Sequence, residues 1–592
     1  MNRNEIHLQD TWDLTKIYED EKSFNQDLEA TKYLCDELIK QEYTFTTTSD
    51  RFYNFLEDYT KMDRFLSKLY CFTHLSVDVD PDHQVLKNME AQVLSLYEYI
   101  SQHLTFVDLN IISANDKVKE YLKEDRFKVY RYNMEEIFRQ ASHTLSKEME
   151  DVLAQVYPLA DTGSDVFDAL RLEFKPVMVD GKEEFLNSAT LNKFLKNKDE
   201  KVRQEAYHHF YEEYKRYENV FAKTLSSTMK KDAFFSKIRH FEDSLEASLF
   251  ADQAPKELFH MILKQANEKY RPLFHRYNAL KKRLLNKETL YNYDLIVPLV
   301  KSKPHNYTID ECFDIILKCV NVFGDEYTDI IKKAKRERWI DFYPHTKKRA
   351  GAYSSGSYDT NPYILMNFIG DYQSLSTMIH ELGHSCHTYL SNKYQPPQTS
   401  QYRIFVAEVA STVNEMLLIQ YLLANTTDEQ EKASLLYDLL ENCVGLIFRQ
   451  PMFADFEYKL HQMAELDQPM SSQTITGLYH TLNQEYFGPD VVLDDLTRYS
   501  CYHVPHFYYN YYVYKYTLGM CCALAITSRV LKHDTKQIEC YLEFLKSGGS
   551  KSPIELLQAA NVDPLSNQLY NDAFSYFEDL LNEFERIMLK KE

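Results

Sequence analysis

Ser374-Leu375-Ser376-Thr377-Met378-Ile379-His380-Glu381-Leu382-Gly383-His384-Ser385-Cys386-His387 is the segment from which the rest of the chain is read. It reads as a helix. At 3.6 residues per turn, His380 and His384 fall one turn apart on one face. Two imidazoles so spaced reach a single tetrahedral Zn²⁺. Glu381 lies about 100° further round the helix, beside the metal, where a general base for water activation belongs. The competing reading is a helix with two ordinary histidines. His387 shares the ligand face, either as a spare ligand or as a supporting or packing residue. Cys386 falls off that face and reads as a small packing residue.

The flanks agree with a helix start here. Tyr363-Ile364-Leu365-Met366-Asn367-Phe368 is apolar and β-prone, bounded by Pro362 and Gly370. Asp371 to Ser376 offers N-caps. Two histidines leave a zinc site underfilled, so a third protein ligand is required. The metzincin pattern places it six residues beyond His384, with glycine at the third. Leu390 and His387 stand there, which excludes that class. A carboxylate on a later helix remains, and Phe405-Val406-Ala407-Glu408-Val409-Ala410-Ser411-Thr412-Val413-Asn414-Glu415 supplies one. Glu408 stands among small apolar residues, where a buried carboxylate is expected to be paired or on a metal. Glu415 returns to the same face seven residues later. It either accepts a hydrogen bond from a ligand imidazole or is a solvated carboxylate.

Just upstream, the basic run Lys347-Lys348-Arg349 leads into Ala350-Gly351-Ala352-Tyr353-Ser354-Ser355-Gly356. With the Tyr363–Phe368 strand this predicts a small sheet beside the zinc helix. Its edge, with Gly351 and Tyr353, is placed to pair with the backbone of an extended peptide. The other basic runs, Lys281 to Arg283 and Lys332 to Arg338, read as solvated faces.

Composition bounds the rest. Only 13 Gly and 17 Pro in 592 residues leave few helix breakers, so long helices and a mainly α fold are expected. A net charge of −21 argues against nucleic acid or an anionic membrane as the main partner. Ten scattered cysteines, with no C-x-x-C, read as reduced thiols. With a polar opening (Met1 to His7) and no run of 18 apolar residues, they lead to the expectation of a cytoplasmic, membrane-free protein.

Along the chain, residues 1–19 read as a cap segment anchored by Trp12, Leu14 and Ile17. From Glu21 to Leu159 apolar residues recur three and four apart, as in Phe52-Phe55-Leu56, Leu66-Leu69-Tyr70 and Val93-Leu96-Tyr97. Breaks are expected at Pro81-Asp82 and from Asp108 to Asn115. Lys175 to Phe185, with Asp180-Gly181 at its centre, predicts a β-hairpin. A soft boundary near residue 195 gives an N-terminal helical domain over 1–195, carrying that hairpin within 174–191, and a catalytic domain over 196–592. No flexible linker marks it.

Tyr499 to Tyr516 holds eight tyrosines, with His503, His506 and Phe507. A buried phenol needs a hydrogen-bond partner, so not all of them can be plain core. One reading is an aromatic wall with hydroxyls at the surface. The other is a set of neutral donors for the oxyanion of a tetrahedral intermediate.

The set His380-Glu381-Leu382-Gly383-His384 and Phe405 to Thr412 resembles the thimet-oligopeptidase-like family of zinc peptidases, in its oligoendopeptidase F branch. Thr11 to Leu14 with Ile17-Tyr18, Arg203 to Tyr214 and Phe507 to Gly519 carry the likeness over nearly the whole chain. The resemblance implies an elongated, two-lobed helical fold around a deep channel that admits only oligopeptides. It implies one Zn²⁺ on His380, His384 and Glu408, with Glu381 as base. It also implies that His and Tyr residues of the aromatic segment hold the substrate and stabilise the oxyanion. Tyr511 and Tyr514 match the family's Tyr-Tyr-x-Tyr end, Tyr508 lies in the same segment, and His503 and His506 compete for the upstream histidine; Tyr514 or one of these histidines is expected to share the oxyanion with zinc, and Tyr508, Tyr511 and His503 to hold the substrate. A hydrolase of another bond and a peptide-binding protein with an inactive metal are the competing functions. Oligomeric state is left open between monomer and homo-oligomer.

Overall fold

Scarcity of glycine and proline is met by long helices and very little sheet. A computed structural model describes residues 3–301 and 305–590; Met1 and Asn2 of the polar opening lie outside the described residues. Helix α1, Ser49–Val79, starts where the Thr48 hydroxyl accepts the amide of Arg51 and stops at Asp80, at the Pro81-Asp82 break. Phe52, Phe55, Leu56, Leu66 and Leu69 are buried along one face, whereas Tyr70 and Tyr97 of the predicted triplets are exposed. The break expected from Asp108 to Asn115 is instead a short helix, α2, Phe106–Ser113. Phe106, Val107 and Ile111 are buried there, and the Asn110 amide donates to the Glu42 carbonyl at 2.7 Å. Tertiary packing of the apolar residues thus overrides the turn-prone Asp108, Asn110 and Ser113, and the interruption falls at Ala114 alone.

The hairpin forms as two short strands, β1 Val177–Val179 and β2 Lys182–Glu184, with Val179 opposite Lys182. Asp180 and Gly181 both take positive φ (49° and 76°), the left-handed pair that a two-residue hairpin turn demands. Helix α3, Glu218–Ile238, follows. Three strands then make the predicted small sheet: β3 Ile340–Asp341, β4 Tyr353–Ser355 and β5 Tyr363–Leu365, in the order β3-β5-β4. Strand β5 is parallel to β3 and antiparallel to β4, so β4 keeps one edge unpaired among the described strands. Four further helices complete the frame of interest: α4 Tyr372–Tyr394, α5 Ile404–Asn425, α6 Gln450–Glu465 and α7 Tyr514–Val530.

The chain divides into two compact units that interleave in sequence. The first comprises Met1–Ser142, Pro304–Tyr421 and Ile526–Val562; the second comprises His143–Lys303, Leu422–Ala525 and Asp563–Glu592. No crossing falls near residue 195. In the first unit the cap segment is built into the sheet: the Tyr363 hydroxyl donates to the Asp13 carbonyl at 2.9 Å, and Trp12 meets the Tyr363 ring edge-on at 6.3 Å. The second unit encloses an ion pair, Arg203 with Asp294, at 2.5 Å. Arg203 also donates to the carbonyls of Asn197 and Lys198, which leaves no buried charge uncompensated.

Candidate metal centre and active site

Helix α4 begins where the sequence predicts. Asp371 Oδ1 accepts the amide of Ser374 at 2.9 Å and its hydroxyl at 2.7 Å, a side-chain cap. Gly370 precedes it at φ +86°, where a Cβ would stand 2.7 Å from Asn306 Oδ1 and 3.0 Å from the Tyr307 carbonyl. Inside the helix Gly383 serves a second close approach. A Cβ there would lie 2.9 Å from Ser411 Cα and 3.0 Å from the Ala410 carbonyl. The missing side chain lets α5 cross directly over the His380–His384 turn. Asn414 ties the crossing, donating to the Ile379 carbonyl at 3.3 Å and accepting from the Tyr327 hydroxyl at 3.0 Å.

That crossing brings three donors together. His380 Nε2 and His384 Nε2 are 3.2 Å apart, and Glu408 Oε2 is 3.6 Å from each. A tetrahedral zinc with ligands at about 2.0–2.2 Å sets its donor atoms about 3.3–3.6 Å apart. The triangle therefore fits such an ion without rearrangement, and the same three residues form a metal-compatible group among the described residues. Glu408 differs from expectation in one respect: its side chain is about half exposed (49%), because it reaches past the small residues of α5 into an open site. The Ser411 hydroxyl steadies it, donating to Oε2 at 3.0 Å.

Glu415 pairs with the other nitrogen of His380, Nδ1, at 3.3 Å. A proton on Nδ1 leaves the Nε2 lone pair facing the triangle. Burial works against charge on His380, but Glu415, then Glu381 and Glu408, outweigh it and hold the imidazole at about 9. Burial and the neighbouring His380 push His384 down to about 4. A divalent cation held by both Nε2 atoms would take the place of the proton that His380 otherwise retains there. Glu381 is buried beside them and receives a hydrogen bond from the Ser354 backbone; burial raises its pKa to about 7 against the pull of His380. Ser354 and Ser385 join their hydroxyls at 2.8 Å, so β4 is fastened to the helix that carries Glu381.

His387 is a packing residue in this arrangement. Its ring is fully buried and stacked on Tyr402 at 3.7 Å, with Phe544 at 5.3 Å. The Tyr353 hydroxyl donates to Asp78 at 2.7 Å, so what β4 offers outward is backbone. Gly351, at φ +87° with open space around it, gives its carbonyl to the Asn367 amide at 2.7 Å. From Ser355 and Gly356 a cavity of about 820 Å³ continues past Asp63, Asp108 and Tyr130 within the first unit.

The aromatic segment belongs to the second unit and divides sharply between inside and outside. The Tyr508 hydroxyl bonds Thr224 at 2.8 Å, Tyr514 donates to Asp252 at 3.4 Å, and the Tyr511 ring is buried against His461. The hydroxyls of Tyr514, expected to serve the oxyanion, and of Tyr508, expected to hold substrate, thus have partners within this unit. His503 packs among Phe210, Tyr211 and Tyr214, and burial pushes it to about 4. Tyr509 is exposed, with His506, Tyr512 and Tyr516 partly so; burial lowers His506 too, which favours its neutral ring. Sequence reasoning passed over Ser354, Ser411 and Asn414. Only Ser411 carried a local signal, three residues after Glu408.

The model of peptidase family M3 matches residues 193–576, and an oligopeptidase F model matches 113–173. The chain belongs to peptidase family M3. Oligopeptidase PepF of Bacillus subtilis is 36% identical over all of this chain and 89% of its own length. Oligoendopeptidase-F from Enterococcus faecium superposes with a TM-score of 0.74 at 29% identity, covering 97% of this chain and 100% of its own. A solved chain from Chlamydophila abortus reaches 0.93 at 30% identity, over 99% of both chains. As an M3 member the protein is a hydrolase of peptide bonds in oligopeptides, and the family is metal-dependent. Among the described residues no helix is long and apolar enough to cross a membrane.

Proposed function

We propose that the protein is a zinc endopeptidase in which His380, His384 and Glu408 hold the ion and Glu381 is the general base. The observation that carries this is the donor triangle with a buried carboxylate at its side. Zinc bound there supplies Lewis-acid activation of water and of the scissile carbonyl. Glu381 takes the proton of the attacking water and passes it to the leaving amine, a task suited to a carboxylate raised toward neutrality. Glu415 holds the His380 ring in the tautomer that presents Nε2. The free edge of β4, Gly351 and Tyr353 included, pairs with the peptide backbone, so side-chain identity is read weakly. The 820 Å³ cavity beyond Ser355 gives the peptide room on that side.

His506, whose Nε2 meets the Tyr516 hydroxyl at 3.4 Å, donates with the outward Tyr509 and Tyr512 to the carbonyl oxygen as charge develops there. Tyr508, Tyr511 and Tyr514 anchor the segment, and His503 supports it from the aromatic cluster. This part rests on the family resemblance and on which hydroxyls are accessible. Ten cysteines without a disulfide support a reducing, cytoplasmic setting.

The test is cleavage of a quenched fluorescent octapeptide by the full chain, with chelator, with zinc restored, and by Glu381→Gln. Zinc-rescued cleavage that the variant lacks is the expected result. Cleavage that survives complete chelation overturns the zinc reading, and wild-type turnover by Glu381→Gln overturns the base.

A further inference from the structure

Asn510 and Tyr511 are consecutive non-glycine residues in the left-handed region, with φ of 44° and 55°. Such backbone persists only where its surroundings over-determine it. Here the surroundings are specific. Glu457, on α6 and with no exposed surface, accepts the Tyr511 amide at Oε1 across 2.5 Å. Its Oε2 is buried without a partner. Ser248, on the helix Ser244–Ala251, donates its hydroxyl to the Asn510 carbonyl at 2.9 Å. The Tyr511 ring lies on His461 at 4.5 Å and 24°, and His461 is held by Asp232 at 3.1 Å and by the Glu457 carbonyl at 3.0 Å.

We propose that Glu457 is a positioning residue of the peptidase: it sets the Asn510–Tyr511 turn and thereby which aromatic groups of the segment face the substrate. The proposal rests on the part assigned above to His506, Tyr509 and Tyr512. Inside and outside alternate over a few residues, with Tyr508 and Tyr511 buried and Tyr509 and Tyr512 outward. Released from its anchors, the turn is free to relax from φ > 0, and the outward set changes with it. A carboxylate serving stability alone is a poor choice at this point. One oxygen is fully used, the other is desolvated for nothing, and an apolar residue would fill the space at lower cost.

The experiment compares Glu457→Ala, Glu457→Gln and Leu460→Ala in the full chain. Leu460 is fully buried on the same helix and controls for loss of packing. Two readouts are taken on folded protein: kcat and KM on the octapeptide, and hydrogen exchange of the Tyr511 amide. Expected are a kcat lowered about tenfold to a hundredfold in Glu457→Ala with KM little changed, and faster exchange at Tyr511. Glu457→Gln keeps the acceptor oxygen and both wild-type values, and Leu460→Ala keeps kcat. Unchanged exchange in Glu457→Ala overturns the anchoring. Equal loss of kcat in Glu457→Ala and Leu460→Ala reduces Glu457 to a packing residue and also overturns it. Faster exchange with unchanged kcat overturns the positioning role and the segment's part in turnover together. The zinc and base assignments stay separately judged by Glu381→Gln. Should Glu457→Ala fail to fold, Ser248→Ala removes the turn's other anchor; a lower kcat with faster exchange near Asn510 is expected, and wild-type values for both overturn the proposal.

Discussion

Glu381 and Glu457 are both buried glutamates raised to about 7, and the surroundings separate their roles. Glu381 borders an open donor triangle, so its proton has somewhere to go. Glu381→Gln is expected to keep bound zinc and lose on the order of 10²–10⁴ in kcat, measured by metal content and peptide turnover. Glu415→Gln weakens the hold on the His380 ring and is expected to cost about 10–100-fold in zinc affinity in a competition titration. Glu457 has no such outlet, and besides the positioning role proposed above its burial bears on stability. Its carboxyl sits above its ordinary 4.5, so the folded state prefers the neutral form. The penalty is absent below the unfolded pKa, grows as pH rises from about 4.5 to about 7, and is constant above. Glu457→Gln lacks it and is expected to gain on wild type by up to about 3 kcal/mol between pH 5 and pH 8 in denaturant titrations. The pairing of His380 with His384 was legible because H-E-x-x-H spacing alone fixes which side chains share a helix face. Glu457 was not, because a glutamate in an amphipathic helix reads as solvated until its neighbours are known.

At the scale of elements, the site is a crossing of α4 and α5, and Gly383 sets how close that crossing is. Gly383→Ala pushes a methyl into backbone, at 2.9 Å from Ser411 Cα, with no flexible side chain to yield. An overpacking cost of about 1–3 kcal/mol is expected in chemical unfolding. Moving α5 also moves Glu408 but not the two histidines, so zinc affinity is expected to fall even where the fold survives. Unchanged affinity at lowered stability would show that the triangle tolerates the shift. The strand, the hairpin and the start of α4 were readable because each has local chemistry: β-prone runs, Asp180-Gly181, and the Asp371 cap. The helix over Phe106–Ser113 was not, since its polar residues signal a break and only burial of Phe106, Val107 and Ile111 makes it helical. The exposure of Glu408 was hidden for a related reason. Its small neighbours mark a tight helix crossing rather than a closed pocket.

At the scale of the whole molecule, folding follows compact units that the order of the sequence conceals. The sequence suggests a catalytic part beginning near 196, and the family M3 match also starts close by, at 193. Yet the unit holding the donor triangle includes residues before 142. Those residues are built into the sheet beside the base. The Asp13 amide donates to the Arg338 carbonyl at 2.8 Å, the Tyr353 hydroxyl donates to Asp78, and Arg64 makes a two-pronged ion pair with Asp359. Helix α1 also packs Phe52 and Phe55 on Phe45 and Phe127 within the same N-terminal segment. Residues 196–592 expressed alone are therefore expected to show no cooperative unfolding by circular dichroism and no stoichiometric zinc. Supplying residues 1–195 as a separate chain is expected to restore both, because every contact named here is non-covalent. A fragment 196–592 that bound zinc and unfolded cooperatively would show that the donor triangle needs only its own two helices, and the contacts of Asp13, Arg64 and Asp78 would then be decoration on a self-sufficient catalytic half.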